Sequence, residues 1–327
     1  MADTLVLLAG MAVLVLGGEG IVRGASGLAQ SYGVSPLAIG LTVVALGTSA
    51  PELAVNVSAA LAGSTSISFG NIVGSNLANM GLVVGAIALI RPVAIETSVV
   101  RREIPMMLLA TGVVLVLGAD TWLADPPNVY SRGDSTALLL LFCVFVYYVL
   151  ADVRSQRNSD RYLADLAETS THLGRSRIPV RSALLIAAGA VGLVIGAQLT
   201  VKGATGVAVA LGVSDTLIAL TIVAIGTSLP ELTASVVAAL RGQTDLAVGN
   251  VVGSNILNFC LVLGATGVLR PIPVPEGGVV DLLAVSLFSL VLLGVCTTYR
   301  HQIMRSEGLL LMVGYLLYVG QRALLWG

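Results

Sequence analysis

Residues 32–93 of the chain align with residues 211–272 at a constant offset of 179, without gaps, and 33 of the 62 positions are identical. Identity is densest in GTSAPE at 47–52 against GTSLPE at 226–231, and in GNIVGSNLAN at 70–79 against GNVVGSNILN at 249–258. It closes on RP at 91–92 and 270–271. Weaker agreement reaches back to Arg23 against Lys202, and to Gly24 and Gly27 against Gly203 and Gly206. The chain is therefore a duplication, and any fold must place the same glycine, proline and glutamate twice in related surroundings.

The solvent for that fold is lipid. Of the 327 residues 56% are hydrophobic and 11% charged, where a soluble domain carries about a quarter charged residues. The apolar stretches meet the roughly 20-residue length of a membrane-crossing helix, and alternating strand-like patterns of about ten residues are missing. The expectation is an all-α integral membrane protein with ten transmembrane helices, at 3–29, 36–62, 66–90, 97–119, 134–152, 179–209, 214–240, 245–270, 278–297 and 307–325. The N-terminus lacks a basic region and a small-residue cleavage site, so Leu5 to Leu16 reads as the start of a retained helix. A polar segment at 153–178 divides the chain into a five-helix half at 1–152 and a second at 179–327. Its mixed charges read as a cytoplasmic solvated loop or short surface helix, too short for a large regulatory domain.

Lysine and arginine accumulate in short cytoplasmic loops. With the N-terminus outside, the inner loops and helix ends collect twelve arginines between Arg91 and Arg305, against Arg132, Arg270 and Arg322 outside. Both termini are thus expected on the extracytoplasmic side of the cell membrane. Five is odd, so the second half enters the bilayer from the opposite side and the two repeats are inverted. Transporters built this way bind substrate near the midplane, where the copies meet and helices are broken.

Cys143, Cys260 and Cys296 show neither metal-ligand spacing nor a disulfide framework and read as buried small hydrophobes. His172 and His301 fall in hydrophilic stretches and read as loop residues. A net charge of −1 points to no nucleic-acid partner, and nothing in the sequence speaks to oligomeric state.

The chemistry lies in the repeated motifs. Gly47 and Gly226 give backbone freedom, while Pro51 and Pro230 each remove a donor and crowd the preceding turn. A kink or unwound step is expected at each GTSxPE, freeing the carbonyls of Ala45 and Ala224, and a bound cation is one partner for them. The competing reading is a capping box, since Ser49 to Glu52 and Ser228 to Glu231 have S-x-x-E spacing with proline just inside a helix start. Against it, Glu52 and Glu231 fall mid-span, where a carboxylate is costly unless paired. Gly70/Gly74 and Gly249/Gly253 are GxxxG pairs that suit close helix packing. The asparagines around them, Asn71, Asn76 and Asn79 with Asn250, Asn255 and Asn258, fit packing less well. Ser75 and Asn79 share a helix face, as do Ser254 and Asn258. Two carboxylates, hydroxyls, amide oxygens and loose carbonyls form an all-oxygen site suited to a hard cation, and calcium tolerates six to eight such ligands in flexible geometry. A divalent ion cancels both glutamate charges; sodium ions or protons do the same, giving mutually exclusive occupancy and hence exchange.

These paired motifs resemble the two alpha-repeats of the cation/calcium exchanger superfamily, especially its prokaryotic sodium/calcium exchangers. The resemblance implies a central cluster with Glu52 and Glu231 as principal calcium ligands and shared sodium ligands. Thr48, Ser49, Ser75 and the Ala45 carbonyl, with Thr227, Ser228, Ser254 and the Ala224 carbonyl, carry over as further ligands; Asn79 and Asn258 complete the candidate set. It also implies that the first and sixth helices, with their glycine-rich GGEGIVRGASG and GAQLTVKGATG, slide against the bundle to switch access, although close static packing explains those glycines equally well. Many relatives have aspartate at the position of Asn258, so the glutamates alone give a site charge of −2 here, which lends no support to a further potassium site.

The function so implied is a calcium/sodium antiporter working by alternating access, extruding calcium and electrogenic, with three sodium ions per calcium. Proton/calcium antiport with the same two glutamates is the alternative. A passive channel would conduct without countertransport. An intramembrane enzyme is disfavoured: no nucleophile–base set is visible, and catalysis does not need matched sites in inverted copies. No cofactor is expected; calcium and sodium are the transported ions and the bilayer the remaining partner.

Overall fold

The computed structural model describes residues 2–63, 65–120, 128–166, 178–212, 226–298 and 301–326. Helices dominate: α1 (Ala2–Tyr32), α2 (Pro36–Leu61), α3 (Ile67–Ile90), α4 (Ile104–Gly118), α5 (Arg132–Leu166), α6 (Ile178–Ala210), α7 (Leu229–Leu240), α8 (Thr244–Leu269), α9 (Gly278–Thr297) and α10 (Arg305–Trp326). Among the described residues seven helices are long and apolar enough to cross a membrane. Helix α4 itself has 15 residues, and the wide π turn before it, Val99–Glu103, carries Arg101, Arg102 and Glu103. The first part of the expected 214–240 helix, residues 214–225, lies outside the described residues.

Two-residue strands add a small β component that the sequence did not suggest. β1 (Val93–Ala94) pairs antiparallel with β4 (Gln302–Ile303), and β2 (Val129–Tyr130) with β3 (Ile272–Pro273). Each pair ties a connection of the first half to one of the second.

Burial sorts the helices into layers. Some 94% of the apolar window of α8 and 78% of that of α3 is buried, against 33% for α1, 22% for α6 and 17% for α5. The GNxVGSNxxN helices are therefore central, and the exposed faces of α1 and α6, with Leu8, Val15, Leu184 and Val191, face lipid. α1 and α6 lie antiparallel in backbone contact. A Cβ on Gly17 would stand 2.7 Å from the Leu193 amide nitrogen, and one on Gly189 2.6 Å from that of Ile21. Removing the Cβ is what lets the two backbones touch.

The GxxxG pairs of the two copies do different things. Gly249 and Gly253 press on the start of α2: a Cβ at Gly253 would lie 2.5 Å from the Leu41 carbonyl oxygen and 2.8 Å from its Cα. At Gly70 and Gly74 no described atom lies within 4 Å of the same point, and both glycines border a cleft. Packing thus explains the second pair. Gly253→Val is expected to lower thermal stability by about 1–3 kcal/mol through overpacking against backbone that cannot yield, while Gly74→Val changes it by under about 0.5 kcal/mol. Melting of the purified variants checks the contrast.

Helix α5, expected to end at 152, runs on to Leu166. The run VRSQRNSDRYLADL contains no glycine or proline and many good helix formers, so leaving the apolar stretch gives the helix no reason to stop.

Candidate functional site

Two carboxylates are buried at the contact of α2, α7 and α8. Glu52 and Glu231 are each 1% exposed. The Ser49 hydroxyl, one turn before Glu52, donates to Glu231 Oε1 at 3.0 Å, which joins the two GTSxPE motifs directly. Thr48 Oγ1 donates to Asn250 Oδ1 at 3.1 Å and lies 3.4 Å from Ser254 Oγ, fixing α2 against α8. Asn250 in turn donates to Ser235 Oγ at 3.0 Å and to the Glu231 carbonyl at 3.5 Å. On α2, Asn56 donates to the Glu52 carbonyl at 2.7 Å.

The asparagines of α3 and α8 bond reciprocally. Asn79 Nδ2 donates to Asn255 Oδ1 at 3.1 Å, and Asn258 Nδ2 donates to Asn76 Oδ1 at 3.3 Å. In each copy the last asparagine of the motif donates to the middle asparagine of the other. Asn258 also donates to Ser75 Oγ at 3.0 Å, while Ser75 donates to the Ile72 carbonyl. Wide π turns begin at Asn79 (Asn79–Val83) and beside Asn258 (Leu257–Val262), a feature that recurs at functional sites.

Five of the polar atoms left over are acceptors. Both carboxylate oxygens of Glu52, Oε2 of Glu231, Oδ1 of Asn79 and Oδ1 of Asn258 are buried with no hydrogen-bond donor. The two amides spend their N–H groups on protein and keep their oxygens unpaired. A buried acceptor without a donor costs about 1–3 kcal/mol, more when charged; five of them are unstable together unless something positive faces them. Among the described residues no three acidic, histidine or cysteine side chains gather, so negative charge here comes from the glutamate pair and the remaining donors are neutral oxygens. A hard cation fits that set.

The motif backbone corrects the expectation of matched breaks. α2 is helical through GTSAPE, with Pro51 inside an unbroken α segment Ala45–Leu61; its irregularity is a π turn one step earlier, Gly40–Val44. Ala45 lies in that continuous helix, its carbonyl oxygen 3.3 Å from the Thr48 hydroxyl, and not at an unwound step. In the second copy Thr227 and Ser228 form a turn, and α7 starts at Leu229 with Pro230 in its first positions. A proline needs no N–H partner there. The capping box is absent: Ser228 stands at the N-cap without a side-chain cap bond, its hydroxyl is buried without a partner, and Ser49 is helix-internal. Ala224 lies outside the described residues.

Sequence reasoning missed Ser235 and Asn56, and left Asn76, Asn250 and Asn255 out of the candidate ligands. They act on other members of the cluster. Asn76, Asn250 and Asn255 belong to the duplicated pattern, which is the signal that could have found them; Ser235 and Asn56 occupy one repeat position with different residues and gave none.

Fold and site together define a helical membrane protein with an acidic, oxygen-lined cluster between two copies of one motif. Residues 3–151 and 181–322 match the sodium/calcium exchanger protein family, and the chain belongs to it. It is 32% identical to the sodium/calcium exchanger MaX1 of Methanosarcina acetivorans over 96% of this chain and 97% of that one. It is also 32% identical to the inner membrane protein YrbG of Escherichia coli, over 97% and 95%. Its fold is similar to the solved structure of the sodium-calcium exchanger NCX_Mj soaked with zero sodium and calcium, at a TM-score of 0.81 and 30% identity, covering 97% of this chain and 98% of that one.

Proposed function

We propose that the chain exchanges sodium for calcium across the membrane by alternating access, extruding calcium from the cytoplasm, with Glu52 and Glu231 as the principal ligands of calcium and of the sodium ions that replace it. The observation that carries this reading is the set of five donorless buried acceptors on Glu52, Glu231, Asn79 and Asn258. Ser49, Thr48, Ser75 and Ser254, with the Ala45 carbonyl, stand next to those acceptors or bond within their network, and Thr227 and Ser228 precede Glu231 directly. With Ala224 they complete the proposed ligand set.

The domain arrangement follows the same reading. Two five-helix halves, 1–152 and 179–327, are related by inversion across a cytoplasmic linker at 153–178, making ten spans with both termini outside. The antiparallel contact of α1 with α6 and the reciprocal asparagine bonds support a two-fold relation between the halves. Three sodium ions per calcium move one net charge, worth roughly 2.3 kcal/mol per 100 mV, so exchange is electrogenic.

Proteoliposomes loaded with sodium and diluted into sodium-free medium should take up radiolabelled calcium, faster when an inside-positive potential favours the net outward movement of positive charge. Uptake that ignores sodium and follows an imposed pH gradient would overturn the assignment in favour of proton coupling.

A further inference from the structure

Positions 56 and 235 are mates in the duplication, asparagine in the first copy and serine in the second, and the two copies are tied differently there. In the second copy α8 is bound to α7: Asn250 Nδ2 donates to Ser235 Oγ at 3.0 Å and to the Glu231 carbonyl at 3.5 Å, and all three residues are buried. The matching tie between α3 and α2 is not made in the first copy. The Glu52 carbonyl accepts instead from Asn56 Nδ2, one turn on along its own helix, at 2.7 Å. Nδ2 of Asn71, the mate of Asn250, is left buried with no acceptor. Asn56 and Asn71 both line a cleft of about 700 Å³, so open space lies beside the untied pair.

We propose that Asn56 is a positioning residue that sets which of two arrangements the exchanger rests in, the one with α8 tied to α7 or its mirror with α3 tied to α2. The proposal rests on the exchange reading above. In the mirror arrangement Asn71 gives its N–H groups to the Glu52 carbonyl and to the side chain at 56, and Asn250 releases Glu231. Serine suits such a tie, because it is small and its oxygen accepts, as Ser235 does from Asn250. Asparagine opposes it twice. Its own N–H already serves the Glu52 carbonyl, which removes the gain from bringing Asn71 in, and its larger side chain props α3 away from α2. A buried donor without an acceptor is costly, so Asn71 pulls toward the mirror arrangement and Asn56 holds against it. The ties act on the backbone of the two glutamates proposed to hold the ions. Ions arriving at one membrane face bind only the molecules open to that face, and their apparent affinity falls with that fraction. The ratio of the calcium requirements at the two faces therefore reports the resting balance.

The test uses the full-length protein in sealed membrane vesicles of the two orientations, reading the calcium concentration that gives half-maximal sodium-driven transport from each face. Asn56→Ser, which gives position 56 the residue of its mate, should move the ratio of the two concentrations by about 3- to 10-fold, the worth of one hydrogen bond. Ser235→Asn weakens the tie already made and should move the ratio the same way; the two together should move it by the product of the single shifts. Asn71→Ala removes a donor that has no acceptor in the arrangement described. It should move the ratio in the opposite direction by a similar factor, without lowering the melting temperature of the ion-free protein. If Ser235→Asn fails to fold at its fully buried position, Asn56→Ser against Asn71→Ala still decides the matter. An unchanged ratio, equal weakening at both faces, or shifts of the same sign in Asn56→Ser and Asn71→Ala would overturn the proposal and leave Asn56 a bond within its own helix. Wild-type protein that moves no calcium with sodium from either face would sink the exchange reading and this proposal with it; sodium-driven transport with an unmoved ratio sinks the proposal alone.

Discussion

Glu52→Gln is expected to abolish calcium exchange while leaving the ion-free protein at least as stable as wild type. Neither carboxylate oxygen of Glu52 has a donor, and the side chain is 1% exposed, so without an ion its charge is a cost to the fold. Glutamine keeps the shape, removes the charge and brings two N–H groups to a place crowded with acceptors. With calcium the balance reverses. Removing one partner of a buried charge pair costs about 3–5 kcal/mol, which corresponds to at least a ~100-fold loss of calcium affinity. Glu231→Gln should lose exchange to a similar extent, but it also disturbs the bond from Ser49 and so gains less stability in the ion-free state. Two measurements separate binding from folding. Wild-type protein should melt later as calcium is added, by the equivalent of about 2.7 kcal/mol at a hundred times its dissociation constant. Both glutamine variants should melt at a calcium-independent temperature and show no calcium flux. Full-speed transport in both would remove the glutamates from the mechanism.

Much of this arrangement was legible because duplication carries information that composition does not. A glutamate beside a proline in an apolar run has many explanations; the same pair in two copies, followed at the same distance by the same asparagines, has few. The pattern marked Glu52, Ser49, Thr48, Ser75, Asn79 and their mates, and the structure brings Ser49 to Glu231, Thr48 to Ser254, and Asn258 to Ser75. Helix ends were readable wherever a breaker stood, as at Pro36 and at the Gly277–Gly278 pair that opens α9. They were unreadable at 152, where the hydropathy changed but helix propensity did not.

What the sequence could not carry is the difference between the copies. Identical GTSxPE motifs adopt a continuous helix in one half and a turn before α7 in the other. The Ser49 hydroxyl reaches Glu231, while its mate Ser228 has no partner and neither does Glu52. Gly249 and Gly253 pack against backbone, whereas Gly70 and Gly74 border a cleft. Similar motifs in unequal conformations fit the exchange proposed above, in which each copy would take up the other's arrangement when access switches. A bistable element of this kind is what alternating access requires. The pseudo-symmetry of the sequence describes the average of the two arrangements, and a single structure displays one of them.

Asn258→Asp probes the charge of the site from the opposite direction. Asn258 is fully buried, gives both of its amide bonds to Ser75 and Asn76, and leaves its oxygen without a donor. Aspartate would lose those bonds, set a carboxylate against the Asn76 oxygen and add a third charge beside the two glutamates. Without ions the variant should therefore be less stable than wild type by about 3–5 kcal/mol, the cost of an uncompensated buried charge. Calcium should narrow the gap. An additional ligand charge raises divalent affinity by about 1.4 kcal/mol, a tenfold change, so the melting temperature of the variant should climb more steeply with calcium and recover part of its ion-free deficit. The ion balance must shift as well, since sodium ions that neutralise two carboxylates do not neutralise three; exchange should then demand more sodium or accept a further monovalent ion. Asn79→Asp, at the matching position of the first copy and with the same unpaired oxygen, should behave alike if the two halves contribute equally. Unchanged affinity and unchanged ion preference in both variants would place these amides outside the ligand shell and leave their reciprocal bonds as a clasp between α3 and α8.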